Sequence, residues 1–221
     1  MYEKGERANI VDRILQLTAY LDRDPDRGVH FPGEHGKSSE EIVCFVDATH
    51  NSESSAVLTR GGGAQEGHIV FHRGGPVSWG SHPIRLVLTN TRDAECVAAY
   101  HGSEAVRRTQ LLLEECGYVD GTSPIPKVYS DSSALIQGID LGTMSTTSRS
   151  ILQFGRRLRD GVLKEEYVLI HVPGKTNPAD MLTKGLPGPL ARVHSTTLLG
   201  EGPANLDGAG KWSATRHVTN A

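Results

Sequence analysis

Four acidic residues stand where they could share metal chemistry: Asp47 in FVDAT, Glu95 in DAECVAAY, Asp131 in VYSDSSALIQGI and Asp180 in NPADMLTK. Asp47 closes a dense apolar run, Glu95 falls in the first turn of a long helical stretch, Asp131 follows a second apolar run, and Asp180 opens a late helix. Carboxylates packed together repel one another unless a cation neutralises them, so a convergent set argues for bound metal. An all-oxygen set suits magnesium, with manganese as a substitute, better than it suits softer ions. Taken singly, each acid also has an ordinary reading. Asp47 could be a turn residue, Glu95 and Asp180 could complement a helix dipole, and Asp131 could be an N-cap.

The elements needed to bring such acids together are legible. EIVCFVDAT, residues 41–49, is apolar enough for a central buried strand with Asp47 at its C-terminal end. GHIVFHRGGPVSWGS predicts two more strands, over 67–72 and 76–81, joined by a turn at Gly74-Gly75. TRDAECVAAYHGSEAVRRTQLLLEECG predicts the longest helix, with Thr91 as N-cap and Gly117 in the C-cap position. PIPKVYSD is a short strand ending at Asp131, and SSALIQGI a short helix. Residues 146–160 predict another helix, EYVLIHVPG a strand, and NPADMLTKGL a last helix with Asn177 as cap and Pro178 at its first position. This order indicates an α/β domain with a mixed sheet. Upstream, residues 6–21 place Ile10, Val11, Ile14, Leu15 and Leu17 at helical spacing, an adapter helix outside the core. Beyond residue 186 periodicity fades, so 187–221 reads as a flexible or partly docked tail.

The chain has 221 residues, 37% hydrophobic and 22% charged, with 25 glycines: one globular, loop-rich domain with appendages. No apolar run approaches the roughly 20 residues of a membrane span, and the charged N-terminus lacks the apolar stretch of a signal peptide. The expectation is a cytoplasmic or nuclear protein, not secreted and with no membrane partner. Cys44, Cys96 and Cys116 form no CxxC pair and read as buried free thiols, and the ten histidines show no zinc-ligand spacing. A net charge of −3 neither points to nucleic acid nor excludes it.

Two segments, YSDSSALIQGI and TNTRDAECVAA, resemble cellular ribonuclease H. A wider set covers residues 8 to 186: RILQLTAYLDRDPDRGVHF, GHIVFHRGGPVSWGS, DAECVAAYHGSEAVRRTQLLLEECG, YSDSSALI and VPGKTNPADMLTKGL. In that order they are similar to the C-terminal part of a Ty1/copia-type retrotransposon polyprotein. The resemblance implies a ribonuclease H-like fold, a mixed central sheet of about five strands flanked by helices. It divides the chain into 1–38, the end of a reverse transcriptase region with its linker; 39–186, the nuclease domain; and the tail, 187–221. The chain departs from the family in reading SRSILQF where a His-Ile-Asp group is usual, and in a longer glycine-rich loop after Asp47. It holds no Tyr-x-Asp-Asp polymerase signature, so it is expected to be a fragment, a processed product or a degenerate copy.

What the resemblance implies chemically is hydrolysis of the RNA strand of an RNA–DNA hybrid with two magnesium ions, leaving 5′-phosphate and 3′-hydroxyl ends. Asp47 would bridge both ions, Glu95 and Asp131 would complete one site, and Asp180 would hold the other. In a copia-type element the particle or the nucleus would be the setting and the reverse transcriptase region a partner. A hybrid is read through its backbone and 2′-hydroxyls. Asn90 and Thr91 before Glu95, and Ser132 and Ser133 after Asp131, are candidate contacts. Arg149, Arg156, Arg157 and Arg159 make one helix strongly basic, and Arg149 and Arg156 are candidates for the DNA-strand phosphates. His171 reads as a strand residue rather than a proton relay, His50 as a solvated loop histidine, and Trp79 as core. Lys175 stands near the place of the family's mobile histidine. Two rivals remain: a non-catalytic hybrid-binding or scaffold remnant, and another nuclease of the same superfold, such as an exonuclease or integrase core.

Overall fold

A computed structural model describes residues 4–23, 25–31, 41–50, 63–143 and 148–200. Helix α1, Lys4–Arg23, leaves Ile10, Val11, Ile14, Leu15 and Leu17 exposed. Strands β1 (Ile42–Thr49), β2 (Gln65–His72) and β3 (Gly75–Pro83) follow, then helix α2 (Thr91–Glu115) and strand β4 (Lys127–Ser130). Helices α3 (Ser133–Leu141) and α4 (Arg149–Leu163), strand β5 (Val168–His171), a 3₁₀ turn at Gly174–Thr176, and helices α5 (Asp180–Thr183) and α6 (Gly188–Leu198) complete the order.

The sheet runs β3-β2-β1-β4-β5. β1 and β2, and β2 and β3, are antiparallel, while β4 lies parallel to β1 and β5 parallel to β4. The structure thus has the mixed central sheet of about five strands flanked by helices that the sequence implied. The expected hairpin is present, but its turn sits at Arg73-Gly74, both with positive φ (51° and 76°), and β3 already begins at Gly75. Two left-handed residues match the right-handed twist of the flanking strands.

β1 is central because both its faces are covered. Cys44, Val46 and Ala48 share a core with Ala98 and Val106 of α2, Leu135 and Ile139 of α3, and Ile151 and Leu158 of α4. Val43 and Phe45 face the other way, with Ile69, Phe71, Tyr129, Ile170 and Ala179; Leu182 and Leu198 pack against them. Strand alternation explains the split, and full burial of a Leu or Ile side chain is worth about 1.5–3 kcal/mol. α2 lies close on β1 because Gly102 faces it. A Cβ there would run into Cγ1 of Val46 and stand 3.3 Å from Sγ of Cys44.

Several expectations are corrected. The long helix is capped by Asn90, whose Oδ1 accepts from Asp93 N at 3.0 Å, and Thr91 is its first residue. The Asn90 side chain reaches forward three residues to satisfy a free amide of the first turn, the role of an N-cap. Trp79 is not core: it is 58% exposed, because β3 is the sheet edge. Cys44 and Cys96 are buried, but Cys116 is the C-cap residue of α2 and is exposed. The tail was read as flexible or partly docked, and its described residues, 187–200, pack against the rest of the chain. His30 N donates to Leu199 O at 2.7 Å, and His194 and Ser195 of α6 are buried. Its small and polar residues hid that helix from a periodicity reading. Residues 51–62, 144–147 and 201–221 of the predicted loop, helix start and tail lie outside the described residues.

Candidate metal centre

The acids meet at the C-terminal ends of the parallel pair β1 and β4. Phe45 is in register with Tyr129, so two residues on Asp47 stands level with Asp131. The two neighbouring strands thereby deliver two carboxylates to one end of the sheet. Glu95 comes from α2 on the opposite face and is buried. One oxygen from each of Asp47, Glu95 and Asp131 lies within 4.8 Å of the others.

Asp180 belongs to the neighbourhood but not to that set. Asn177 positions it. The buried Nδ2 donates to Val46 O at 2.8 Å, and Oδ1 accepts from Ala179 N at 3.1 Å. Helix α5 starts at Asp180 rather than at Pro178, so Asn177 caps the preceding turn and ties it to β1. Gly67 lets α5 come down onto the sheet. It pairs with Asp47 in register, and a Cβ on it would lie 2.6 Å from Cβ of Leu182. Gly174 likewise makes room on the other side, since its Cβ would stand 2.9 Å from Oδ2 of Asp131.

Three further residues complete the centre. Thr183 donates its hydroxyl to Oδ2 of Asp47. Lys184 Nζ lies 3.6 Å from the same oxygen and 3.0 Å from Oδ1 of Asp180. His194 of α6 is buried, with Nε2 lacking a hydrogen-bond partner, and burial holds its pKa below the ordinary value, with Asp180 opposing and Lys184 adding to the drop. Of these, only Lys184 had a signal in the sequence: it stands four residues after Asp180, ion-pair spacing on a helix. Thr183 and His194 had none.

Burial dominates the electrostatics. It pushes Asp47 up to about 7 against the opposing pull of the Thr183 hydroxyl and the Lys184 ammonium. It pushes Glu95 up to about 9, with the charges of Asp47 and Asp131 adding to the rise. Asp131 is also raised, by burial and then by Asp180. Burial of Lys184 works against its charge, yet the surrounding carboxylates overcome this and raise its pKa. Glu95 Oε2 is buried without a hydrogen-bond partner, and Oδ1 of Asp180 is buried beside the Lys184 ammonium, 3.0 Å away. An all-oxygen set with orphaned, like-charged donors fits a hard divalent cation.

The candidate nucleic-acid residues surround this centre unevenly. Asn90 and Thr91 are exposed at the start of α2; Asn90 also serves as its cap. Ser132 caps α3 by accepting from Leu135 N at 3.3 Å, and Ser133 is exposed. In α4, Arg157 is held by Glu166 at 2.8 Å, and Arg159 donates to the carbonyls of Ile139 and Asp140. Arg149 and Arg156 stay exposed. The Ile151 carbonyl lies 3.8 Å from Cys96 Sγ, which sets the first turn of α4 beside the second turn of α2. His171 is exposed at the end of β5 and acts electrostatically on Asp131, Lys175 is exposed in the 3₁₀ turn, and His50 is half-buried just after β1.

No protein-family model matches the sequence. Among solved structures, the chain is similar to LC11-RNase H1, isolated from compost by a metagenomic approach, with 17% identity, 65% of this chain and 93% of that chain covered, and a TM-score of 0.47. RNase H1 from the halophilic archaeon Halobacterium salinarum matches at 21% identity, 65% and 94% coverage and a TM-score of 0.42. The prototype foamy virus protease–reverse transcriptase matches at 13% identity, over 79% of this chain and 22% of that one, with a TM-score of 0.43.

Proposed function

We propose that the chain is a two-metal ribonuclease H that hydrolyses the RNA strand of RNA–DNA hybrids, and that it derives from a Ty1/copia-type polyprotein. The observation that carries the activity is the approach of Asp47, Glu95 and Asp131 to within 4.8 Å at the C-terminal ends of adjacent parallel strands. The copia-type origin is supported by the five ordered sequence segments, with residues 1–38 as the end of a reverse transcriptase region and 39–186 as the nuclease.

Asp47, Glu95 and Asp131 would hold one ion, and Asp180 with Asp47 the second. Bound there, paired divalent ions activate a water and stabilise the leaving 3′ oxygen. The chain's own contribution is to fix the oxygens in place. β1 and β4 align Asp47 with Asp131, α2 presents Glu95 from the other face, and Asn177 anchors the turn that presents Asp180. Asn90, Thr91, Ser132 and Ser133 would meet the backbone and 2′-hydroxyls of the substrate, and Arg149 and Arg156 the phosphates.

The test is cleavage of a strand-labelled hybrid by purified protein, with and without magnesium, beside an Asp47→Asn control. Magnesium-dependent loss of the RNA strand alone, abolished in the control, is the expected result. Folded protein that binds the hybrid and never cuts it would instead establish the non-catalytic remnant.

A further inference from the structure

We propose that the Lys184 ammonium is the resident counter-ion of the metal-free centre, holding Asp180 and Asp47 together and leaving that position when a divalent cation enters. This inference rests on the two-metal reading above. Nζ is 3.0 Å from Oδ1 of Asp180 and 3.6 Å from Oδ2 of Asp47, so one positive charge links the three-carboxylate set to the outlying acid. The partner side chains are only 9% and 2% exposed, whereas that of Lys184 is 34% exposed. A long aliphatic stem thus carries the charge in from solvent.

The backbone permits the same charge to leave. Lys184 stands just past the four residues of α5, in extended conformation (φ −149°, ψ 154°). Its side chain can swing outward without breaking a helical hydrogen bond made by its neighbours. Thr183 keeps its hydroxyl on Asp47 and keeps α5 in place meanwhile. An ammonium and a divalent cation repel each other strongly at this range, so the two occupants exclude one another. Lys184 is therefore a positioning residue: its ammonium bridges Asp180 and Asp47 and keeps them ordered before metal arrives, and it sets a threshold for metal entry.

The test measures manganese binding by electron paramagnetic resonance on the full chain, for wild type, Lys184→Met, Lys184→Arg and the Asp47→Asn/Glu95→Gln double variant. The Met variant should bind manganese about tenfold more tightly, the gain being limited by screening at a partly exposed ammonium. The Arg variant, which retains the competing charge, should stay near wild type. Without metal at neutral pH the Met variant should also melt lower than wild type, and manganese should close that gap. An unchanged affinity in the Met variant, or a melting loss that persists equally with metal, overturns the role of Lys184 while leaving the metal centre intact. Wild type that binds no more manganese than the double variant overturns the two-metal reading itself.

Discussion

Asn177 donates from Nδ2 to the carbonyl of Val46 at 2.8 Å, joining residues 131 positions apart in the chain. Val46 immediately precedes Asp47, and Asn177 immediately precedes the turn into Asp180. One buried amide therefore sets the distance between an acid on the central strand and an acid on a four-residue helix too short to hold itself. Asn177→Ala would leave the Val46 carbonyl and the Ala179 amide unpaired, at a cost of about 2–3 kcal/mol. Hybrid cleavage should fall at least as steeply as stability. Thermal melts and cleavage rates on the variant check both, and an activity loss confined to the unfolded fraction would refute the positioning role.

Gly67 does for sterics what Asn177 does for hydrogen bonding. It lies opposite Asp47, and α5 rests on it, with Leu182, Thr183 and the Ala179 carbonyl all within 3.4 Å of where a Cβ would stand. Gly67→Ala should lift α5, with an overpacking cost of about 1–3 kcal/mol. Because Thr183 and Lys184 would move off Asp47, metal affinity should change together with stability. A Gly67→Ala variant with wild-type melting and wild-type manganese binding would show that α5 tolerates the displacement.

The pH dependence of the metal-free protein follows from the raised carboxyls. Asp47 near 7 and Glu95 near 9 stand well above the range of about 4 usual for an unfolded chain. Between those limits the folded state binds more protons than the unfolded state, so stability falls as pH rises from about 4 to about 9. Metal binding expels the same protons, so magnesium affinity should rise across that window. Melts in chelator should drop steadily from acid to alkaline pH, and added magnesium should flatten the slope. A flat profile in chelator would show that the acids ionise freely without metal.

The architecture was legible because strand and helix signals agree with the packing they serve. EIVCFVDAT is apolar at successive positions because β1 is covered on both faces, and the hydrophobic spacing of α2 and α4 matches their buried stripes. The four acids were legible from their contexts, but the 4.8 Å set of three with Asp180 held apart was not. That division depends on Lys184, Thr183 and Asn177, whose partners lie 131 to 137 residues away in β1. The docking of α6 was hidden for a related reason. His194 and Ser195 are buried through polar and small side chains, which leave no hydrophobic period to read. Trp79 misled because an aromatic residue in a strand suits a buried and an edge position equally well.

Thiol accessibility gives a test of the core that needs no substrate. Cys44 is fully buried and its thiol is driven upward by that burial, Cys96 is pushed up to about 12 by the same cause, and Cys116 is exposed at the end of α2. A thiol-specific reagent should label Cys116 quickly in the folded protein and the other two only on unfolding. Rapid native labelling of Cys96 would mean that the N-terminal part of α2, which carries Glu95, opens readily.

The exposed arginines of α4 make the last prediction. Arg157 and Arg159 are committed to Glu166 and to the end of α3, so neither is available to a ligand without giving up an internal partner. Arg149 lies in the first turn of α4, whose Ile151 carbonyl meets Cys96 of α2, the residue after Glu95, and Arg156 is exposed about two turns farther along. Removing an arginine that neutralises a phosphate should reduce the salt dependence of hybrid binding by about one ion released. Arg149→Ala and Arg156→Ala should therefore each flatten the plot of log affinity against log salt, with little effect on melting. Arg157→Ala should do the reverse, costing stability through Glu166 while leaving the salt slope alone. If the slope instead drops only for Arg157→Ala, the hybrid would lie across the Glu166 side of α4, away from the start of α2.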